Sequence, residues 1–95
     1  MKHVVWAQRA VDDLDLIKAR LREIDPDLAK EQLATLVRAA RWLLQYPHAG
    51  PSIGYRDWRK WRPRSQRYVL LYRPASLGIE VVRIRHERED WLVAP

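Results

Sequence analysis

The sequence predicts an α+β fold in the order β-α-α-β-β-β, in which a helical hairpin packs on one face of a twisted antiparallel sheet. Two long segments with an apolar residue every three or four positions predict the helices. Three short runs rich in β-branched and aromatic residues, separated by turns, predict a meander near the C-terminus. With 95 residues of ordinary apolar content, the chain is expected to form one domain over residues 1–95.

The N-terminal half is predicted to hold one strand, at residues 2–6, and both helices. The first helix starts near Gln8, and its apolar residues recur at helical spacing: Val11, Leu14, Ile17, Leu21 and Ile24. Asp25 can cap a new helix and Pro26 fits its first position, so the first helix ends and the second begins there. The second helix is predicted to run to about Gln45, and the short link makes the pair an antiparallel hairpin.

The C-terminal half is predicted to form three strands, near residues 55–62, 67–73 and 79–86, after a loop rich in Gly and Pro. The connections 63–66 and 74–78 are short enough for antiparallel hairpins and too short for the crossover that parallel strands need. We therefore expect neighbouring strands of the meander to run antiparallel.

Positive charge concentrates in the second half of the chain. Residues 1–47 carry eight Lys/Arg and seven Asp/Glu, whereas residues 48–95 carry ten and five. Because a buried, unpaired guanidinium costs several kcal/mol, much of this charge is expected to face water or an acidic partner. Trp58 and Trp61 lie among the cations, a pattern typical of nucleic-acid stacking surfaces and of protein interfaces alike. One of these tryptophans is expected to pack and the other to reach an edge or a partner.

Several classes of function are excluded or disfavoured by composition. The chain has no cysteine, which excludes disulfides and thiol chemistry. His3, His48 and His86 do not have the spacing of metal ligands, so neither a metal nor another cofactor is expected. No apolar run is long enough for a signal peptide or a membrane span, which favours a cytoplasmic protein without membrane contact.

One tight group of titratable residues follows the last predicted strand, from His86 to Asp90, and Trp91 comes directly after it. A histidine among carboxylates and arginines could act in acid–base chemistry on a phosphodiester. The alternative is a solvated charged tail in which Trp91 packs as an anchor. For Trp91 we favour the anchor over a target contact.

Short motifs in a fixed order resemble the RelE/ParE superfamily of toxins from bacterial toxin–antitoxin pairs, and most closely its ParE branch. They are Trp6 ending the first strand, Asp13-Leu14 in the first helix, Pro26 opening the second, Gly54-Tyr55-Arg56 entering the sheet, and Tyr68 to Arg73 followed by Val82-Arg83-Ile84. The resemblance implies a toxin that inhibits DNA gyrase and is neutralised by a cognate ParD-like antitoxin wrapped around the hairpin and the sheet. The expected target contacts are Arg56, Arg59, Lys60, Arg73, Arg83, Arg85, Arg88 and Trp91.

Two alternatives stay open. Similarity to the RelE branch would imply a ribosome-dependent mRNA endoribonuclease, with His86 and Arg88 as candidate catalytic residues. That branch has an arginine after the tyrosine that opens the third strand, where this chain has Val69, and it has a functional tyrosine near the C-terminus, whereas no tyrosine follows Tyr72 here. Both departures favour an inhibitor over an enzyme. The other alternative is a basic nucleic-acid-binding module, whose affinity would fall steeply with salt.

Overall fold

The computed structural model describes residues 2–64 and 66–88, in which two helices pack on a four-stranded mixed sheet. This confirms the predicted α+β class and the predicted order of elements. The elements are β1 (His3–Trp6), α1 (Gln8–Ile24), α2 (Pro26–Leu43), β2 (Arg59–Trp61), β3 (Tyr68–Ala75) and β4 (Gly78–His86).

The boundary between the helices has the predicted chemistry. Asp25 is extended, and its carboxylate accepts a hydrogen bond from the Asp27 amide at 2.9 Å, while Pro26 occupies the first helical position. The side chain thus satisfies one of the amides that a helix start leaves without a partner. Neither helix in the described part of the chain combines the length and apolarity that crossing a membrane requires.

The sheet has the order β1-β4-β3-β2, and one pairing differs from the prediction. The strands β2, β3 and β4 run antiparallel to their neighbours as expected, whereas β1 pairs with β4 in parallel, from His3 opposite Gly78 to Trp6 opposite Val81. The long intervening chain, which includes both helices, provides the crossover that parallel pairing needs. The sheet is therefore mixed and not wholly antiparallel.

The strand predicted at residues 55–62 is shorter than expected, because β2 covers only Arg59–Trp61. Gly54 has a φ of 77° and Arg56 a φ of 51°, and backbone in this left-handed region cannot continue a strand. Residues 51–58 form a loop instead, which returns against β2 through the bridge between Ser52 and Arg59.

The main core lies between the helices and the sheet. Its largest fully buried side chains come from α2, β3 and β4 and include Leu36, Leu43, Leu70, Tyr72, Ile79 and Val81. Burial of one such side chain contributes roughly 1.5–3 kcal/mol. The predicted apolar stripe of α1 is confirmed for Ile17 and Leu21, but Ile24, at the end of the helix, is 75% exposed.

A smaller apolar cluster covers the second face of the sheet, opposite the helices. Val69, Leu71 and Val82 are buried there, and Ile53 and Trp58 of the loop 51–58 pack on them. Trp61 packs against the main core instead and stacks on Trp42 at 4.9 Å between ring centroids. The two tryptophans therefore both pack, on opposite faces of the sheet, and the expectation that only one would pack was wrong.

Helix α1 is bonded to β4 beside an irregularity of that strand. The register passes from Leu71 opposite Arg83 to Tyr72 opposite Val81, so β4 has one residue more than β3 at this point. The Ile84 amide donates to Asp13 Oδ2 at 2.9 Å. Arg83 joins the same carboxylate, with Nε 2.8 Å from Oδ2 and Nη2 3.2 Å from Oδ1.

The connection from α2 to β2 is fixed to the core by the hydroxyl of Tyr72. This hydroxyl donates to the Pro47 carbonyl at 2.8 Å and accepts from the Gly50 amide at 3.0 Å. A Cβ atom at Gly50 would lie 2.9 Å from the same hydroxyl, so only glycine fits this close approach without a shift. Burial raises the pKa of Tyr72, which keeps the hydroxyl protonated and able to donate.

Replacing Tyr72 by Phe should lower the free energy of unfolding by about 1–3 kcal/mol, because the buried Gly50 amide loses its acceptor while the ring stays in place. Urea denaturation of both proteins measures the change. Tyr46→Phe is the matched control, since Tyr46 is 52% exposed, and it should leave stability nearly unchanged. Equal losses in the two variants would contradict this role of the hydroxyl.

Candidate functional site

The predicted target contacts do not form one continuous patch. Within the described residues they divide into cations that bind the protein itself and cations whose side chains lie at the surface. Trp91, the last predicted contact and the proposed anchor, lies outside the described residues.

Arg83 belongs to the first group. Its ion pair with Asp13 is mostly buried, the two side chains being only 12% and 14% exposed. The guanidinium therefore holds α1 against β4, at the cleft between these two elements.

Arg73 bridges the sheet to the loop 51–58. Its guanidinium lies 3.2 Å from carboxylate oxygens of both Asp57 and Glu80. The hydrogen bond from Arg73 holds the pKa of Asp57 below its ordinary value. Because this pKa is lowered, the ion pair stabilises the fold at pH values above the ordinary pKa of an aspartate. The stabilisation is lost as the pH falls through the lowered pKa.

Arg59 has a structural contact of its own. It donates to the Gly50 carbonyl at 2.6 Å, with a longer contact of 3.4 Å to the His48 carbonyl. Together with Tyr72 it closes the connection between α2 and β2. Lys60 and Arg85 are half-buried on their strands, opposite Leu71 and Val69 respectively.

Arg56 and Arg88 are the exposed members of the predicted set among the described residues. Arg56 lies at the tip of the loop 51–58, with its guanidinium carbon 5.3 Å from the centroid of the Tyr55 ring. Arg88 follows β4, and its backbone amide donates to His86 Nδ1 at 3.1 Å.

His86, the candidate general base, lies at a cleft of about 160 Å³ between α1 and β4. Its ring meets the edge of the Tyr68 ring at 5.6 Å, and Arg20 and Arg85 also line the cleft. The cleft thus brings together an imidazole, a phenol and cations, which are groups that can take part in acid–base chemistry on a phosphate. The His86 Nδ1 accepts a hydrogen bond from the Arg88 amide, which orients the imidazole at the cleft.

The predicted contact Arg88 lies at a cationic end of the sheet with three exposed arginines that were not predicted as site residues, Arg62, Arg64 and Arg67. These three lie in the β2–β3 connection, and the Glu87 amide donates to the Arg67 carbonyl at 2.8 Å, which joins that connection to the end of β4. Glu87 also lies 3.6 Å from Arg62. Antiparallel β3 and β4 place the start of one strand beside the end of the other, and this signal could have located the group.

No group of three His, Asp or Glu side chains that could hold a metal ion occurs within residues 2–64 and 66–88. What the described surface offers is cations and exposed aromatic rings, which are suited to binding a macromolecule.

Comparison with known proteins gives this surface a context. The family model described as the ParE toxin of the type II toxin–antitoxin system, parDE, matches residues 4–91. The chain belongs to the ParE toxin family. The predicted membership of the RelE/ParE superfamily is thereby confirmed.

Two curated relatives of this ParE-family chain are named as toxins. "Putative toxin Y4kP" of Sinorhizobium fredii is 29% identical over 90 residues, covering 95% of this chain and 93% of that protein. "Toxin RelE2" of Caulobacter vibrioides is 33% identical over 88 residues, covering 90% of this chain and 96% of that protein. A solved chain of the chromosomal ParDE TA system from P. aeruginosa superimposes with a TM-score of 0.78 at 21% identity, covering 90% of this chain and 96% of its own, and so shares the fold.

Arg83→Gln in this ParE-family chain should cost about 3 kcal/mol of unfolding free energy, because it leaves the Asp13 carboxylate partly buried without its cation. The exposed Arg64→Gln is the charge-matched control and should change stability by no more than about 0.5 kcal/mol. Chemical denaturation measures both. Adding Asp13→Asn to Arg83→Gln should recover part of the loss, and a cost equal to that of the control would contradict the structural role.

Proposed function

We propose that the protein is a cytoplasmic toxin that inhibits DNA gyrase and is neutralised by a cognate ParD-like antitoxin. The observation that carries the proposal is the match of the ParE toxin family model across residues 4–91. The fold shared with a chain of a ParDE system supports an antitoxin as the partner.

The environment of Val69 supports an inhibitor over a ribonuclease. Val69 stands where the ribonuclease branch has an arginine, and its side chain is 5% exposed in the apolar cluster with Leu71 and Val82. This position therefore presents no charge to a phosphate. Inhibition by binding needs no catalytic group, and the exposed cations and aromatic rings can supply the contact.

An mRNA endoribonuclease is the second candidate. The cleft that places His86 beside Tyr68 favours it, as does the 33% identity with a relative named Toxin RelE2. The two activities make different demands on His86, because proton transfer needs the imidazole whereas gyrase binding through the cations does not.

Expression of the chain alone should arrest bacterial growth, and co-expression of the neighbouring antitoxin gene should restore it. In parallel assays the purified protein should block supercoiling by gyrase and leave ribosome-bound mRNA intact, and His86→Ala should retain the gyrase effect. If the protein instead cleaved mRNA on the ribosome, lost this cleavage in His86→Ala and left gyrase unaffected, the endoribonuclease would replace the gyrase inhibitor as the first candidate. Normal growth with folded protein would remove the toxin proposal.

The antitoxin should use apolar surface that the helical hairpin leaves exposed. Leu16 of α1 is 57% exposed beside the α1–β4 cleft. Burial of this side chain by a partner would give binding that salt does not abolish. Binding of cations to phosphates, in contrast, weakens as salt is added.

Leu16→Lys should therefore weaken antitoxin binding by about tenfold or more and prevent rescue of growth, while toxicity persists. Leu77→Lys is the matched control, since Leu77 is 65% exposed in the β3–β4 turn, away from the helices. Calorimetry at low and high salt gives the affinities. Undiminished binding by Leu16→Lys would exclude this part of the hairpin as the antitoxin site.

A further inference from the structure

Arg56 adopts a backbone conformation that side-chain-bearing residues usually avoid. With a φ of 51° it is the single non-glycine residue at positive φ within the described ranges. Strain of this kind persists only where surrounding contacts impose it, and it concentrates at binding and active sites. The loop 51–58 is therefore a place to look for function.

Contacts on both sides of Arg56 hold the loop in place. Ser52 Oγ accepts from the Gly54 amide at 3.1 Å, and the Trp58 amide donates to the Tyr55 carbonyl at 3.2 Å. Asp57 is tied to Arg73 of β3, and Trp58 packs in the second apolar cluster. The loop is thus ordered by the sheet beneath it, and its conformation does not depend on a partner.

The loop presents two side chains to its surroundings. Tyr55 is 38% exposed, and its ring meets the Trp58 ring edge-on at 5.0 Å. Arg56 is exposed at the tip of the loop, and its guanidinium carbon lies over the Tyr55 ring, 5.3 Å from the ring centroid. Tyrosine and arginine are residues that dominate binding energy at protein interfaces, and a pair already held in position loses little freedom on binding.

We propose that Tyr55 and Arg56 form an anchor that binds a carboxylate beside an apolar wall on the surface of the toxin's protein target. The inference rests on the proposed function for the existence of a target. Arg56 would take the carboxylate, for which its planar guanidinium is suited, and Tyr55 would lie on the apolar wall.

The charge around the tip favours a protein over a nucleic acid. Asp57, whose side chain is 55% exposed, directly follows Arg56 and is paired with Arg73, so Arg73 is not a second free cation at the tip. Nucleic-acid binding draws on several Lys or Arg side chains that neutralise phosphates and release counterions, whereas Arg56 is the one exposed cation of the described loop 51–58. A single carboxylate on a protein surface matches that arrangement.

The test separates the strain from the contact. Asparagine tolerates the left-handed region, so Arg56→Asn should keep or raise the melting temperature while it removes the guanidinium. The inducer level needed for growth arrest should rise by about tenfold or more. Arg22→Asn removes the same charge from an exposed position on α1, on the other side of the sheet from this loop, and should leave arrest unchanged. Arg56→Lys should recover only part of the activity, because it keeps the charge without the planar fork.

Growth arrest reports the anchor whatever the target is, so failure of gyrase inhibition by the wild-type protein would overturn the proposed target and not the anchor. Arrest by Arg56→Asn equal to that of the wild type would overturn the anchor. Fluorescence anisotropy with duplex DNA supplies the other arm. The assignment to a protein partner would be overturned if the wild type bound DNA with salt-sensitive affinity and Arg56→Asn reduced that affinity as much as it reduced growth arrest.

Discussion

The hydroxyl of Tyr72 is the contact on which the sheet's second face depends. The ring fills the main core, and the hydroxyl fixes the backbone at Pro47 and Gly50. From there the chain can enter β2, and the loop 51–58 can return over the sheet to deliver Trp58 to the second cluster. A single buried side chain thus connects the helical side of the molecule with the opposite face, where the exposed tip at Arg56 is displayed.

Positive charge in this protein has two different uses. Arg59, Arg73 and Arg83 make short contacts with carbonyls or carboxylates of the same chain, and these contacts hold a connection, a loop and a helix in place. The arginines at the loop tip and at the cationic end lie exposed at the surface, and of these Arg62 is paired with Glu87. A count of basic residues therefore overstates the surface that can bind, because an arginine near a buried acid serves the fold first.

Much of the fold could be predicted because local patterns determine it. Helical periodicity and the Asp25-Pro26 pair located both helices, and the short turns required antiparallel pairing in the meander. The parallel pairing of β1 and the hydrogen bond from the Ile84 amide to Asp13 both join partners far apart in sequence, so no local pattern reveals either. The division of the cations was hidden for the same reason: the acid that neutralises Arg83 is 70 residues away.

The parallel pairing of β1 with β4 also affects how the chain can fold. His3 lies opposite Gly78, so β1 has its partner about 75 residues later in the sequence. Such long-range pairing carries a large loop-closure cost and is slow to form. During synthesis the helical hairpin can assemble early, whereas β1 cannot pair until β4 has been made. The complete sheet, and any activity that requires it, can therefore arise only after β4 has emerged from the ribosome.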